Sequence, residues 1–221
     1  MIALPDVTLV SVAGVQIEES QAALQACMSR IQFARVLLLS PEPPDALDRR
    51  IEYRRIPPMS LRGYNAFMLK QLIHHVDTSH VLSVQPDGYV LNPNRWDSAW
   101  MDFDYVGAPW PTRIYYPQGG LYLDPPNRVG NSGFCLRSRR LLELVEPVDL
   151  STMRFVSHAD DAVTCILLYN YLTQKGIRFA DLESAARFSI ETPDACFGQT
   201  LETVFGFHGK HYLAEVQRRD P

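Results

Sequence analysis

Apolar residues follow two rhythms along the first half of the chain. Residues 7–12 and 35–39 are short, nearly continuous apolar runs of strand length. Between them, Ala22, Ala23, Ala26 and Cys27 recur at helical spacing within 18–30. Residues 51–56 alternate as a half-exposed strand does, and Pro57-Pro58 closes them. Ser60 opens a helical pattern through Phe67, Leu69, Leu72, Ile73 and Val76, and 80–84 is a buried strand that stops at Gln85-Pro86-Asp87-Gly88. Strands alternating with amphipathic helices predict βαβ units, hence an α/β fold with a mostly parallel central sheet flanked by helices.

The second half is less regular. Its pattern predicts a short helix over 97–101, a short strand over 105–107, and a long loop over 113–127 in which Gly119-Gly120 invites mobility. A strand over 128–136 follows, then a Ser138-capped helix to Val145 and an apolar helix over 162–172 stopped at Gly176. Short strands are expected at 177–180 and 188–190. No repeat or low-complexity linker interrupts residues 1–221, so the chain is expected to be one domain.

Composition narrows the function classes. With 46% hydrophobic and 21% charged residues and a formal net charge of -4, the chain is neither disordered nor fibrous. It has no block of Lys and Arg of the kind that builds affinity for phosphate backbones, so no nucleic-acid partner is expected. No apolar run approaches the ~20 residues of a transmembrane helix, and the start lacks the basic and apolar regions of a signal peptide. Both point to the cytoplasm. Cys27, Cys135, Cys165 and Cys196 stand singly without a CxxC pair, which fits buried thiols in a reducing compartment.

Three features carry chemistry. Asp87 sits at the carboxyl end of a strand, where open α/β sheets bind ligands, held between Pro86 and Gly88; the same tripeptide also suits a plain turn. Asp160-Asp161, with His158 just upstream, opens the apolar helix. One carboxylate would suffice to cap the free amides, which leaves one free to act, and the amide field lowers the pKa of the capping member so that it is ionised and available as a base. His208 lies between glycines and aromatics in Phe205-Gly206-Phe207-His208-Gly209, open to a metal or phosphate or simply part of a surface turn. The remaining histidines, His74, His75, His80 and His211, carry no pattern.

Taken in order, these segments resemble a known family. Gln-Pro-Asp-Gly-Tyr after a strand, Asp-Tyr-Val-Gly-Ala-Pro-Trp, Val-Gly-Asn-Ser-Gly-Phe-Cys-Leu-Arg-Ser, an acidic pair opening a helix, and Phe-Gly-Phe-His-Gly are similar to a bacterial family of glycosyltransferase-like domains with the GT-A fold. The resemblance runs from about Val7 to His208. It implies a nucleotide-binding half near 7–88 and an acceptor half near 89–221. It makes Asp87 and His208 ligands of a divalent metal, Mn or Mg, on the diphosphate of a nucleotide-sugar, with UDP-sugars among the candidate donors. Gln85 stands where the first acid of the usual Asp-X-Asp is expected, which removes one charge from the metal site.

By the same resemblance Ser11, Val12 and Ala13 line the base and ribose, Gln85 and Gly88 join the donor site, and Asn131, Ser132 and Gly133 lie against the donor sugar, where small residues permit close approach. The acidic pair would activate a hydroxyl of a glycan or other acceptor: Asp161 as base, Asp160 as helix cap or acceptor anchor. Direct displacement with inversion follows. Trp96, Trp100, Trp110, Tyr115 and Tyr116 are either faces for sugar stacking or core. Two rival classes are a non-catalytic nucleotide-sugar or glycan-binding module and a nucleotidyltransferase. The second normally carries a Gly-rich basic loop after its first strand, whereas Ser11-Val12-Ala13-Gly14-Val15 has one glycine and no cation.

Overall fold

In the computed structural model of the chain, residues 2–116, 120–152, 159–193 and 197–219 are described. Their order is β1 (Ile2–Val12), α1 (Ile17–Met28), β2 (Ile31–Ser40), β3 (Glu52–Arg55), α2 (Leu61–Lys70) and β4 (His80–Val84). The short strands β5 (Tyr105–Val106), β6 (Ala108–Pro109), β7 (Ile114–Tyr116), β8 (Leu121–Leu123) and β9 (Val129–Gly130) follow, then β10 (Phe134–Ser138) and α3 (Arg139–Val145). The chain continues through α4 (Asp160–Ala162), a π-helical turn at Val163–Leu167, α5 (Tyr169–Gln174), α6 (Leu182–Phe188), β11 (Ser189–Ile190), β12 (Gly206–Phe207) and α7 (Lys210–Arg219).

The central sheet has six strands in the order β3-β2-β1-β4-β10-β5. The first four are parallel, as the βαβ rhythm predicts, and β10 runs antiparallel to both β4 and β5. This is a mixed α/β fold with a mainly parallel sheet. All five residues of β4 are buried, which suits a central strand covered on both faces. Alternate residues serve the two faces. Leu9, Leu38 and Leu82 pack with Leu24, Trp100, Phe134, Phe188 and Phe205, while Val10, Leu37 and Val81 pack with Phe67, Met68 and Leu72. A third cluster, including Tyr105, Trp110, Cys135, Cys165 and Leu172, supports the later elements.

Local chemistry explains several boundaries. Ser138 Oγ accepts from the Leu141 amide, so the expected cap is in place, and Ser60 Oγ caps α2 in the same way by accepting from the Gly63 amide. Gly176 has φ 81, the left-handed position that ends the apolar helix. The expected helix over 162–172 is broken into α4, the π turn and α5. The expected loop over 113–127 contains the β7–β8 hairpin, with Tyr115 opposite Tyr122; Gly119 lies outside the described residues, as do His158 and Cys196. In place of the strand over 177–180 there is a single bridge from Phe179 to Tyr105. Cys27, Cys135 and Cys165 are buried and unpaired. Among the described residues no helix is long and apolar enough to cross a membrane.

Candidate functional site

The carboxyl ends of β1 and β4 open on one side of the sheet, and β10, being antiparallel, begins there. Strand order turns at β1, whose neighbours β2 and β4 lie on either side, and such a switch point is where open α/β sheets form a crevice. Two cavities lie in that region. The larger, of about 380 Å³, is lined by Val12 at the end of β1 with Ala13 and Gly14 after it, by Met59 and Ser60 before α2, and by Tyr64 and Gln85. The smaller, of about 210 Å³, is lined by Tyr64, Asn65, Gln85, Ser132, Asp160 and Asp161. Leu61, Tyr64 and Gln85 line both, so the two spaces meet at these side chains.

Gln85 is fixed from two sides. Its Nε2 donates to Tyr64 Oη at 2.9 Å, and its Oε1 lies 3.2 Å from His208 Nε2. The same His208 nitrogen lies 3.3 Å from Asp87 Oδ1, while Nδ1 on the other side of the ring lies 3.1 Å from Glu191 Oε1. The strand-end carboxylate and the late histidine therefore converge, as the resemblance implies. The backbone builds this meeting: Gly88 N–H donates to Gln85 O in a tight turn, and Gly209 N–H donates to Asp87 O. A Cβ on Gly88 would lie 2.7 Å from Phe207 O, and one on Gly133 would lie 2.0 Å from His208 Nε2. At these two positions only glycine lets three chain segments close on the imidazole.

Electrostatics follow from the contacts. The hydrogen bond from His208 holds the Asp87 carboxyl below the usual carboxylate range, against its partial burial. Burial pulls the imidazole down, but hydrogen bonds and charge from Asp87 and Glu191 outweigh it and raise His208 to about 9. Among the described residues no group of three or more His, Cys, Asp and Glu forms a ready-made metal cluster. Asp87 and the Gln85 carbonyl oxygen suit a divalent cation that takes further ligands from a diphosphate, since such ions use one or two carboxylates plus phosphate oxygens, and His208 could join them once the cation displaces the proton on Nε2.

The acidic pair departs from expectation. The N-cap of α4 is Ala159, with no side-chain cap bond, so Asp160 is not the helix cap. Its carboxylate is 1% exposed and pairs through Oδ2 with Arg137 Nη2 at 2.5 Å, the guanidinium itself 2% exposed on β10; Asp160 Oδ1 and Arg137 Nε have no hydrogen-bond partner among the described residues. It is Asp161 whose Oδ1 accepts a first-turn amide, from Ala162 at 2.7 Å. Yet its pKa goes up, to about 7, because burial and then the charges of Asp160 and Glu191 outweigh that amide and Arg137. The lowering expected of a capping carboxylate is thus reversed.

The other expected residues divide. Val12, Ala13 and Ser132 line the cavities, but Ser11 does not: its buried Oγ donates to Val84 O at 3.0 Å and ties β1 to β4. Asn131 is buried with φ 72, and its Oδ1 accepts from Gly133 N–H at 2.7 Å, which shapes the loop; its Nδ2 has no hydrogen-bond partner among the described residues. Trp100 and Trp110 are core, with Trp96 packed edge-on against Trp100; Tyr115 is exposed on the hairpin. Sequence reading missed Glu191, Arg137, Tyr64 and Asn65. A helix-facing Tyr-Asn pair after a Ser cap was the only local signal for the last two.

A family model described as "Protein of unknown function (DUF5672)" matches residues 50–208. No curated protein matches the chain. Among solved structures it is similar to a glycosyltransferase involved in the glycosylation of the major capsid of PBCV-1, at 12% identity and TM-score 0.49 over 96% of this chain and 98% of that one. It is also similar to the mannosyltransferase PcManGT from Pyrobaculum calidifontis in complex with GDP-Man and Mn2+, at 13% identity and TM-score 0.48 over 80% of this chain and 56% of that one. A third likeness is to the bifunctional IspDF from Campylobacter jejuni, at 11% identity and TM-score 0.44 over 80% and 49%. At such identities and scores none of these likenesses carries an activity, a ligand or a mechanism over to this chain.

Proposed function

From the premise that the chain belongs to the DUF5672 family, whose match spans the site from Asn65 to His208, we propose that it is a glycosyltransferase moving a sugar from a nucleotide-sugar to an acceptor hydroxyl with inversion. The observation that carries this reading is the pair of cavities joined at Tyr64 and Gln85, with Asp87 and His208 meeting beside Gln85 and Asp161 opening into the smaller one. The motif order that resembles GT-A glycosyltransferases supports it.

In this reading the larger cavity takes the nucleoside, and the diphosphate lies toward Gln85, Asp87 and His208. Asp87 and His208 would hold a divalent ion, Mn or Mg, which when bound supplies Lewis-acid stabilisation of the charge developing on the leaving diphosphate. Asp161 takes the proton of the acceptor hydroxyl as its oxygen forms the new bond to the anomeric carbon; the bond to the diphosphate breaks and its electron pair leaves with the phosphate oxygen. A carboxyl raised to about 7 is a stronger base than an ordinary one and is still ionised for much of the time near neutrality. The buried, unpaired thiols support a cytoplasmic setting.

Thermal unfolding with each nucleoside diphosphate and Mn2+, followed by a transfer assay, tests the reading. At 100 times its dissociation constant a ligand adds about 2.7 kcal/mol to the stability, a readily visible shift. If no nucleoside diphosphate moves the transition, the donor site is wrong; if one does but no nucleotide-sugar is turned over, the enzyme reading falls.

A further inference from the structure

The imidazole of His208 has two nitrogens, and only one of them faces the diphosphate region. Nε2 is shared between Asp87 and Gln85, and Nδ1 meets Glu191 Oε1 at 3.1 Å. We propose that Glu191 is the positioning residue of the cation site, fixing the His208 ring through Nδ1 so that Nε2 is presented to the cation. The inference rests on the reading of Asp87 and His208 as the cation- and diphosphate-binding pair.

Three observations converge on it. The first is backbone register: in the parallel β11–β12 ladder Ile190 pairs with Phe207, and His208 N–H donates to Ile190 O at 3.0 Å. Glu191 and His208 are therefore the next residues on two strands already in register, and their contact is set by main-chain geometry. The second is the crowding of the ring by backbone: a Cβ at Gly133 would fall 2.0 Å from Nε2 and one at Gly88 would fall 3.2 Å from Cδ2, so the imidazole sits in a close-fitting slot. Within that slot, a half-turn of the ring would exchange each nitrogen for a carbon and lose the contacts with Asp87, Gln85 and Glu191 together. The third is chemical: a carboxylate on the second nitrogen of a ligating histidine selects the tautomer and raises the basicity of the nitrogen that binds metal.

The test measures Mn2+ binding by the full chain in the presence of UDP, from the paramagnetic resonance signal of free Mn2+. Glu191→Ala is expected to weaken Mn2+ about 10–100-fold, as loss of such a partner does elsewhere. Glu191→Gln, whose carbonyl oxygen still accepts from Nδ1–H, is expected to weaken it less and to keep the wild-type thermal transition. Excess Mn2+ should restore sugar transfer to both variants, which a merely structural lesion would not allow. Mn2+ affinities within twofold of wild type in both variants, or a loss of transfer that excess Mn2+ leaves unrepaired, overturn the assignment. Should Glu191→Ala fail to fold, Glu191→Gln decides alone. If the wild-type chain itself binds no Mn2+ with any nucleoside diphosphate, the cation site falls first and the role of Glu191 with it.

Discussion

Around His208 one cation lies between two carboxylates, Asp87 and Glu191; beside the smaller cavity one cation, Arg137, again answers to two carboxylates, Asp160 and Asp161. The surplus negative charge is disposed of in opposite ways. His208, Asp87 and Glu191 side chains keep 17%, 20% and 23% exposure, and Asp87 is held ionised below its usual range. Arg137 and Asp160 are shut away at 2% and 1%, and the excess appears as a proton on Asp161, raised to about 7. The same ratio of charge thus leaves an ionised carboxylate at Asp87, which His208 hydrogen-bonds, and a raised one at Asp161, where burial and the charges of Asp160 and Glu191 outweigh Arg137.

The comparison is broken most directly at the proton carrier. Asp161→Asn preserves shape and removes the acceptor, so turnover is expected to fall about 10²–10⁴-fold with donor affinity little changed, measured as kcat and KM for the nucleotide-sugar. Wild-type kcat/KM should fall about tenfold per pH unit below roughly pH 7, and the residual activity of the variant should lack that limb. Full transfer by Asp161→Asn beside an inactive Asp160→Asn would exchange the two roles.

Next in size is the buried pair. Arg137→Met leaves Asp160 uncompensated in the interior and should cost about 3–5 kcal/mol in urea unfolding. The double change Arg137→Met with Asp160→Leu should recover most of that, since replacing both members of a buried pair is often neutral. Equal losses in the single and double variants would show that the pair is not the source of the cost.

The smallest effect is on stability against pH. Asp161 has a folded-state pKa above its unfolded value, so its favourable contribution is complete below about pH 4 and is lost as pH rises through about 7. Asp161→Asn should therefore unfold a few degrees higher than wild type at pH 8 and at the same temperature at pH 4, by calorimetry. A lowered transition at pH 8 would mean that the Asp161 charge is stabilised rather than strained.

How much of this was legible in the sequence depended on range. The strand over 80–84 and the turn at Asp87 are local events, an apolar run stopped by Pro-Asp-Gly, and they stand where the pattern put them. The Ser138 cap was equally local. Glu191 was invisible because its contact with His208 is made by a two-residue ladder across 17 positions, too short to leave a periodic trace. Arg137 hid inside a strand whose neighbours are all buried, and the acidic pair read as a cap because the guanidinium that claims Asp160 lies 23 residues upstream. The β7–β8 hairpin hid in the same way, among Pro, Gly and Tyr that read as a loop.

One contact sets a timetable for the site. Gln85 and His208 meet across 123 positions of chain, and the larger cavity beside Gln85 is lined by residues before 87. During synthesis, at roughly 5–20 residues per second, the first four parallel strands leave the ribosome many seconds before the histidine that completes the cation pair. In the proposed reading, a chain at that stage carries the residues assigned to the base and sugar ring but lacks His208, assigned to the diphosphate, which is held in place only once β12 pairs with β11.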